Sequence, residues 1–533
     1  MFEKIKHITL KEVGLIVLAL LLFYPFTLLL QAFLGSADDS IWLHLKQTVL
    51  ADYIYNSLLL IFYVAILCFF LGFLPAWYLS NYTFRGARFL SWALILPLTI
   101  PSYIMAYAYV GFFDLTGILS TVLRWFGIDG FHLDVIQTSV LGLVLAFSLF
   151  PYLFIISKAY FESATRRYVQ AAKTLGLNSF EIFFKVILPL SRPALVAGLS
   201  LVIMELLNDY GAVKYFGVPT FTTGIFKVWF AYGDHQAALK LAFYLLIIAL
   251  VILFIERRSR QQMKFTDTAS QSQVLQKEKL PASKKWIIIW CWFPFVLAFV
   301  LPLIQLIFWA LNALDYIDYS FFVLIWDSFL TASVAALFVL LIALFVNYVA
   351  RFSRQVFLKK LSNYLTLGYA IPGAIIAVCV LLPFTKWSIN FNNFFDLKWG
   401  LFLNQLGFTL VFAYLMRFFA VGYNGIEASM QSISATIDDS AKLFGFKALK
   451  TMIKIILPNL KPAIVASFLM LFIDLLKELP LTLILRPFNF DTLATKTFEL
   501  AGDEMLEESA WSALIIVGLG CTVSFFLKKV IKL

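Results

Sequence analysis

Twelve long apolar stretches limit what this chain can fold into. The first six cover residues 11–34, 56–80, 88–112, 136–160, 193–215 and 236–255, and the second six cover 286–312, 328–350, 361–384, 400–424, 462–486 and 509–527. Each is long enough to cross a bilayer core, which takes about 20 helical residues. The sequence therefore predicts an all-α polytopic membrane protein with about twelve transmembrane helices in two six-helix halves.

The composition excludes a soluble domain. Of 533 residues, 62% are hydrophobic and only 14% are charged, whereas soluble domains carry roughly 25% charged residues. The four cysteines occur singly in apolar stretches, without the spacing of a zinc site or a disulfide framework, at Cys68, Cys291, Cys379 and Cys521. We expect them to be small packing residues in contact with other helices or lipid.

The net charge of +11 follows the positive-inside rule of membrane proteins, so we expect no nucleic-acid partner. With the N-terminus inside, every inward segment is basic: Lys4–Lys11, Arg85 with Arg88, Arg166–Arg192, Arg257–Lys285, Arg351–Lys360, Lys442–Lys461 and Lys528–Lys532. The outward loops contain Asp38, Asp39, Asp52, Asp315 and Asp318. Both termini are therefore predicted to be cytoplasmic. The first apolar stretch is long for a secretory signal, which favours a retained helix.

A polar, basic segment at 256–285 separates the two sets of helices. We divide the chain into an N-terminal helix and outer loop (1–51), a first transmembrane domain (52–255), a linker (256–285), a first helix and outer loop of the second half (286–322), a second transmembrane domain (323–527) and a tail (528–533). An even number of helices per half makes the halves parallel repeats. Parallel repeats place a translocation path at their interface, which predicts a transporter.

A motif in the first half recurs in the second half with the same internal spacing. The first copy contains Ala172, Lys173, Gly176 and Pro189, and the second contains Ala441, Lys442, Gly445 and Pro458. Each glycine is suited to end a short helix in the left-handed conformation, and a further proline, Pro193 or Pro462, is suited to start the next span. The spacing predicts a protruding helix-turn-helix that could receive force from a soluble partner.

A second repeated pattern is Ile100-Pro101-Ser102, which resembles Ile371-Pro372-Gly373 in the other half. Proline removes a backbone hydrogen bond from a helix, and neighbouring helices in a membrane must satisfy the freed groups. We expect bends or broken helix starts at both positions.

The repeated motif resembles the EAA loop of bacterial ABC importer permeases, although Gln170-Ala171-Ala172 and Asp439-Ser440-Ala441 replace Glu-Ala-Ala. The resemblance covers both halves and implies a type I ABC importer transmembrane fold in the bacterial inner membrane. It also implies that two copies of an ATPase subunit dock at the two motifs and that a periplasmic or lipid-anchored binding protein delivers the substrate. The chain has no Walker A sequence, so we expect it to be a non-enzymatic subunit without a cofactor, with ATP and Mg used by the partner.

Two intramembrane acidic pairs repeat at the same offset as the motif: Glu205 with Asp209, and Asp474 with Glu478. The i, i+4 spacing predicts that both carboxylates of a pair share one helix face. Ionisable groups inside a membrane usually face the bundle interior or a water-filled path. Two interpretations remain open. Lys477 and Asn208 neutralise or hydrogen-bond the carboxylates to hold helices together, or the carboxylates belong to the path of a hard cation such as ferric iron. The sequence leaves the ligands of any metal ion unknown.

Further strings resemble the fused Fbp-type ferric-iron permeases: Asp209-Tyr210-Gly211-Ala212-Val213, Phe221-Thr222-Thr223-Gly224-Ile225, Lys477-Glu478-Leu479-Pro480 and Leu485-Arg486-Pro487-Phe488. This resemblance implies ferric iron as the substrate and a ferric-iron binding protein as the partner. The alternatives are a permease for thiamine or another small solute and, from another class, an ion-coupled secondary carrier, which also uses two parallel halves. The repeated coupling motif argues against the carrier.

Overall fold

The computed structural model describes residues 9–35, 40–115, 117–128, 133–162, 166–263, 277–396, 399 and 401–531. Within these residues, ten helices are long and apolar enough to cross a membrane, and the number rises to twelve if each of two bent helix pairs is one span. The predicted all-α polytopic fold with about twelve transmembrane helices is confirmed.

The described part of the first half consists mostly of helices. They are Leu10–Leu34, Ser40–Thr48, Leu50–Asn81, Ala87–Thr99, Ser102–Phe113, Ile118–Trp125, Thr138–Tyr160, Arg166–Thr174, Ser179–Leu190, Arg192–Asn208, Gly211–Tyr215, Phe221–Phe230 and His235–Met263.

The second half repeats this order. Its helices are Trp286–Asn312, Tyr319–Phe352, Val356–Leu365, Gly373–Phe395, Phe402–Gln405, Phe408–Gln431, Ala435–Leu443, Ala448–Asn459, Lys461–Leu476, Pro480–Leu485, Leu493–Gly502 and Leu506–Ile531, with 3-10 turns at Ala282–Lys284, Leu314–Tyr316 and Thr366–Ala370. Two short strands, Tyr82–Thr83 and Glu278–Lys279, pair in parallel.

The repeated proline positions break their helices as predicted. In the first half, one helix ends at Thr99 and the next begins at Ser102. In the second half, the 3-10 turn ends at Ala370 and the next helix begins at Gly373. Both breaks follow from the missing proline N–H.

Some predicted spans differ in extent from the observed helices. The predicted helices 193–215 and 462–486 each divide in two, because the first part ends at Asn208 or Leu476 and a short helix follows. The span predicted at 400–424 begins later, at Phe408, and continues to Gln431.

Three helices form the centre of each half. In the first half Thr138–Tyr160 packs against Leu50–Asn81 and Arg192–Asn208, and in the second half Phe408–Gln431 packs against Tyr319–Phe352 and Lys461–Leu476. Glycines permit close approach of the backbones. A Cβ added at Gly72 would lie 2.7 Å from the carbonyl oxygen of Phe150, so only glycine fits there without displacement.

The first helix of each half packs against the opposite half. Leu10–Leu34 contacts Tyr319–Phe352 and Val356–Leu365, and Ser353 Oγ donates a 2.8 Å hydrogen bond to Glu12 Oε1. Reciprocally, Trp290 Nε1 in the helix Trp286–Asn312 donates to the carbonyl oxygen of Phe70 at 3.3 Å. This exchange ties the two halves into one unit.

The last part of the predicted linker docks on the first half. The helix His235–Met263 runs into the first part of 256–285, and residues 264–276 lie outside the described part of the chain. Beyond them, Glu278 forms a 2.5 Å ion pair with Lys173, and Lys277 Nζ donates to the carbonyl oxygen of Leu79 at 2.7 Å. The linker therefore touches the repeated motif of the first half, whereas Lys442 in the second half pairs with Asp439 within its own helix.

Candidate coupling segments and translocation cavity

The two repeated motifs, which we call the coupling segments (166–190 and 435–459), close their first helices with glycine as predicted. Gly176 has a φ of +81° and Gly445 a φ of +73°. The amide of Gly176 donates to the carbonyl of Lys173 at 3.0 Å, and the amide of Gly445 donates to that of Lys442 at 2.9 Å. These bonds satisfy carbonyls that the helix ends would leave unpaired.

Each coupling segment then joins its span at a sharp bend. The helix Ser179–Leu190 meets Arg192–Asn208 at 68°, and Ala448–Asn459 meets Lys461–Leu476 at 75°. As predicted, Pro189 and Pro458 lie near the end of the first helix of each pair. A displacement of either coupling segment would therefore act directly on a membrane-spanning helix.

The tips of the coupling segments expose apolar side chains. Leu175 is 80% exposed, Leu443 89% and Phe444 82%.

The interior ends of the two bent spans carry the predicted acidic pairs, but the prediction that both carboxylates share one helix face is wrong. Asp209 and Glu478 lie just beyond the helix ends at Asn208 and Leu476. Asp209 Oδ1 accepts from the amides of Ala212 at 3.1 Å and Val213 at 3.2 Å, and Ser102 Oγ donates to its other oxygen.

Glu478 acts in the same way in the second half. It accepts from the amides of Leu481 at 3.0 Å and Thr482 at 3.3 Å. A carboxylate that takes the free amides at the start of a new helix favours a break before that helix. Both residues therefore cap the short helices Gly211–Tyr215 and Pro480–Leu485, which explains why the two predicted spans end early.

A cavity of about 110 Å³ lies between the two halves. All four predicted carboxylates line it, together with two basic side chains and four tyrosines: Glu205, Asp209, Asp474, Glu478, Arg417, Lys477, Tyr103, Tyr152, Tyr210 and Tyr369. The repeat thus brings together, at the interface of the halves, acidic groups that lie in separate halves of the sequence.

The carboxylates that are not helix caps face basic side chains. Lys477 Nζ lies 3.0 Å from Asp474 Oδ1, and Arg417 Nη2 lies 3.6 Å from Glu205 Oε2. The predicted pairing of Lys477 is confirmed. Asn208 has a different partner from the predicted carboxylate, because its Oδ1 accepts from the amide of Gly373 at 2.6 Å at the proline break of the other half.

Arg417 escaped the sequence analysis. It is 3% exposed, and its Nη1 donates to the carbonyl oxygen of Ile371 at 3.0 Å. An arginine in an apolar stretch is itself a signal of function in a membrane protein. It was missed because the repeat directs attention to residues that both halves share, and the first half has Ser148 at the equivalent position.

The described residues contain no group of three or more histidine, cysteine, aspartate or glutamate side chains that could hold a metal ion. The four cysteines are free, and Cys68, Cys291 and Cys379 are buried, as expected of packing residues. The cavity has more acidic than basic side chains, and all of its charged acceptors are oxygen atoms.

The two roles of the carboxylates predict different effects of substitution. Asp209→Ala removes the cap of Gly211–Tyr215 and should lower the free energy of unfolding by about 1 kcal/mol. Asp209→Asn keeps an acceptor oxygen and should retain most of the stability. Thermal unfolding of the purified protein in detergent measures both. Equal melting temperatures for Asp209→Ala and the wild type would contradict the capping role.

Comparison with known proteins adds the family. The sequence family described as binding-protein-dependent transport system inner membrane component matches residues 68–264 and 348–532, once in each half. The Fe(3+)-transport system permease protein FbpB 2 of Haemophilus influenzae is 26% identical over 487 residues, which cover 90% of each chain.

Other relatives differ in the substrates that their names give. The ferric transport system permease protein FbpB of Actinobacillus pleuropneumoniae is 24% identical over 455 residues, 80% of this chain and 64% of the relative. The sulfate transport system permease protein CysT of Escherichia coli is 29% identical over 190 residues, 34% of this chain and 66% of the relative. The chain therefore belongs to the family of binding-protein-dependent transport system inner membrane components, as a fused ABC importer permease with one family domain in each half.

Proposed function

We propose that this permease carries ferric iron through the cavity between its halves. The observation that carries the proposal is the convergence of four repeated carboxylates, Glu205, Asp209, Asp474 and Glu478, on that cavity. Similarity to an Fe(3+)-transport permease over 90% of both chains supports the same substrate. Carboxylate oxygens are hard ligands, which suit a small, highly charged cation.

Within the four carboxylates, Glu205 and Asp474 are the substrate contacts we propose. Asp209 and Glu478 are engaged by backbone amides, so they are less free to exchange partners. The side chains of Glu205 and Asp474 are 18% and 23% exposed and form ion pairs with Arg417 and Lys477. A cation in the cavity would meet these two first.

The partners follow from the family and from the coupling segments. We infer that two copies of an ATPase subunit dock on the chain and that these subunits use ATP and Mg. The docking residues are Ala172, Lys173, Gly176 and Pro189 in the first half and Ala441, Lys442, Gly445 and Pro458 in the second. Their contact surface includes the exposed apolar tips at Leu175 and Phe444. The coupling end and both termini then face the cytoplasm, and a periplasmic or lipid-anchored ferric-iron binding protein delivers cargo at the other end. The chain itself holds no cofactor.

Glu205→Gln and Asp474→Asn should each lower uptake of labelled ferric iron by about tenfold, equivalent to about 1.4 kcal/mol, while the protein stays in the membrane. The measurement uses vesicles that contain the permease, its ATPase and its binding protein, with ATP supplied. Asp315→Asn, in an exposed turn outside the cavity, is the matched control and should transport normally.

Competition in the same vesicles tests the substrate. Unlabelled ferric iron should suppress the signal, whereas thiamine and sulfate should not. ATP-dependent uptake of thiamine without any uptake of iron would refute the proposed substrate and keep the importer architecture. Iron uptake by vesicles without the ATPase would instead indicate a secondary carrier.

Gly176→Val and Gly445→Val should weaken ATPase docking or uncouple hydrolysis from uptake, because a β-branched side chain is strained at positive φ. Co-purification of the ATPase and the ratio of iron transported to ATP hydrolysed measure the two effects. Gly233→Val is the control, since Gly233 also has a positive φ of +65° and open space around it but lies outside the coupling segments. Similar losses in all three variants would show strain alone and remove the coupling role.

A further inference from the structure

The acidic side chains that line the cavity occur at equivalent positions of the two repeats, whereas the basic side chains occur in one repeat only. The four carboxylates correspond to one another under the repeat, but the two basic residues have no basic counterparts. Arg417 corresponds to Ser148, and Lys477 corresponds to Asn208. The second half alone therefore brings positive charge to the cavity.

The hydrogen bonds that Arg417 and its counterpart Ser148 donate at the proline breaks do not require a positive charge. Ser148 Oγ donates to the carbonyl oxygen of Ile100 at 3.4 Å, as Arg417 donates to that of Ile371. Both acceptors directly precede a helix-breaking proline. A neutral hydroxyl thus performs in one half what the guanidinium performs in the other.

The same comparison holds for the second position. Asn208 accepts from Gly373 of the opposite half, and Lys477 Nζ donates to the carbonyl oxygen of Leu98 of the opposite half at 3.4 Å. Each residue reaches a proline break across the interface. Asn208 accepts here whereas Lys477 donates, but a donor to a carbonyl oxygen need not be charged, as Ser148 shows. The ammonium of Lys477 therefore needs another explanation.

The carboxylates of both ion pairs are partly exposed, and the pair of Arg417 with Glu205 is longer than the 3.0 Å pair of Lys477 with Asp474. Charge-assisted hydrogen bonds of a strong pair measure about 2.7–2.9 Å, but the atoms of Arg417 and Glu205 are 3.6 Å apart. Arg417 Nε has no hydrogen-bond partner among the described residues. The side chains of Lys477 and Asp474 are 21% and 23% exposed. An entering cation can therefore reach both carboxylates.

We propose that Arg417 and Lys477 are internal counter-ions that set the charge selectivity of the path: cargo must displace them from Glu205 and Asp474. This rests on the proposed function. Coulomb energy is proportional to the product of the charges, so a monovalent cation gains about what the displaced side chain loses. A trivalent ion gains about three times as much at the same distance. By the same proportion a divalent ion gains about twice as much, so ferric iron displaces the two side chains most readily, a divalent ion less readily and a monovalent cation least.

The test replaces each base with its repeat counterpart. In vesicles with the complete transporter, Mn²⁺ is titrated against labelled ferric-iron uptake for the wild type and for the double variant Arg417→Ser, Lys477→Asn. We expect half-inhibition at a concentration of Mn²⁺ at least about tenfold lower in the double variant. Lys386→Asn, at an exposed position, should behave as the wild type does.

Single substitutions keep the test decisive if the double variant does not reach the membrane. Lys477→Gln should shift the Mn²⁺ titration in the same direction, and Lys477→Arg, which keeps the charge, should restore the wild-type value. A merely structural role would not produce this dependence on charge. If Lys477→Gln is as abundant as the wild type and takes up iron, but is half-inhibited at the same Mn²⁺ concentration, the counter-ion role is refuted and the proposed function is not. Absence of iron uptake by the wild type overturns the proposed function and this inference with it.

Discussion

Two proline breaks, one in each half of the protein, impose the constraint on which the rest of the structure depends. Where water is absent, backbone groups freed by a break must be satisfied by other helices. Ser148 and Arg417 supply donors to the carbonyls of Ile100 and Ile371, and Asn208 supplies an acceptor to Gly373 of the opposite half. Polar side chains therefore satisfy the backbone groups at the breaks, and the hydrogen bond from Gly373 to Asn208 crosses the interface between the halves.

The polar cavity is a consequence of these hydrogen bonds. The groups that satisfy the breaks stand beside the carboxylates that cap the next short helices, and the remaining acids, Glu205 and Asp474, pair with bases close by. The first helix of each half packs against the other half, and this packing stabilises the interface around the cavity. A bend of 68° or 75° connects each cavity-lining span to its coupling segment.

Much of this fold was predictable, because it rests on patterns that repeat in the sequence. The constant offset between the repeated motifs indicated the two halves, and the positive φ of Gly176 follows from its place after a short helix. The i, i+4 spacing of the acidic pairs wrongly predicted a shared helix face. Asp209 lies beyond the end of the first helix and accepts hydrogen bonds from the amides at the start of the next one. Arg417 was hidden for the opposite reason: it has no counterpart in the repeat, and only the three-dimensional structure shows that it meets Glu205.

The most direct measurement of the central claim, that the cavity between the halves is the path, is the reactivity of one cysteine in a variant without the four native ones. Leu98→Cys lines the cavity, and Leu20→Cys, 67% exposed on the apolar surface of the first helix, is the lipid-facing control. In the complete transporter, we predict that a membrane-impermeant thiol reagent modifies Leu98→Cys from one side at rest and from the other side when ATP hydrolysis is trapped, and never modifies Leu20→Cys. A Leu98→Cys that stays unreactive from both sides in both states would contradict a path through this cavity.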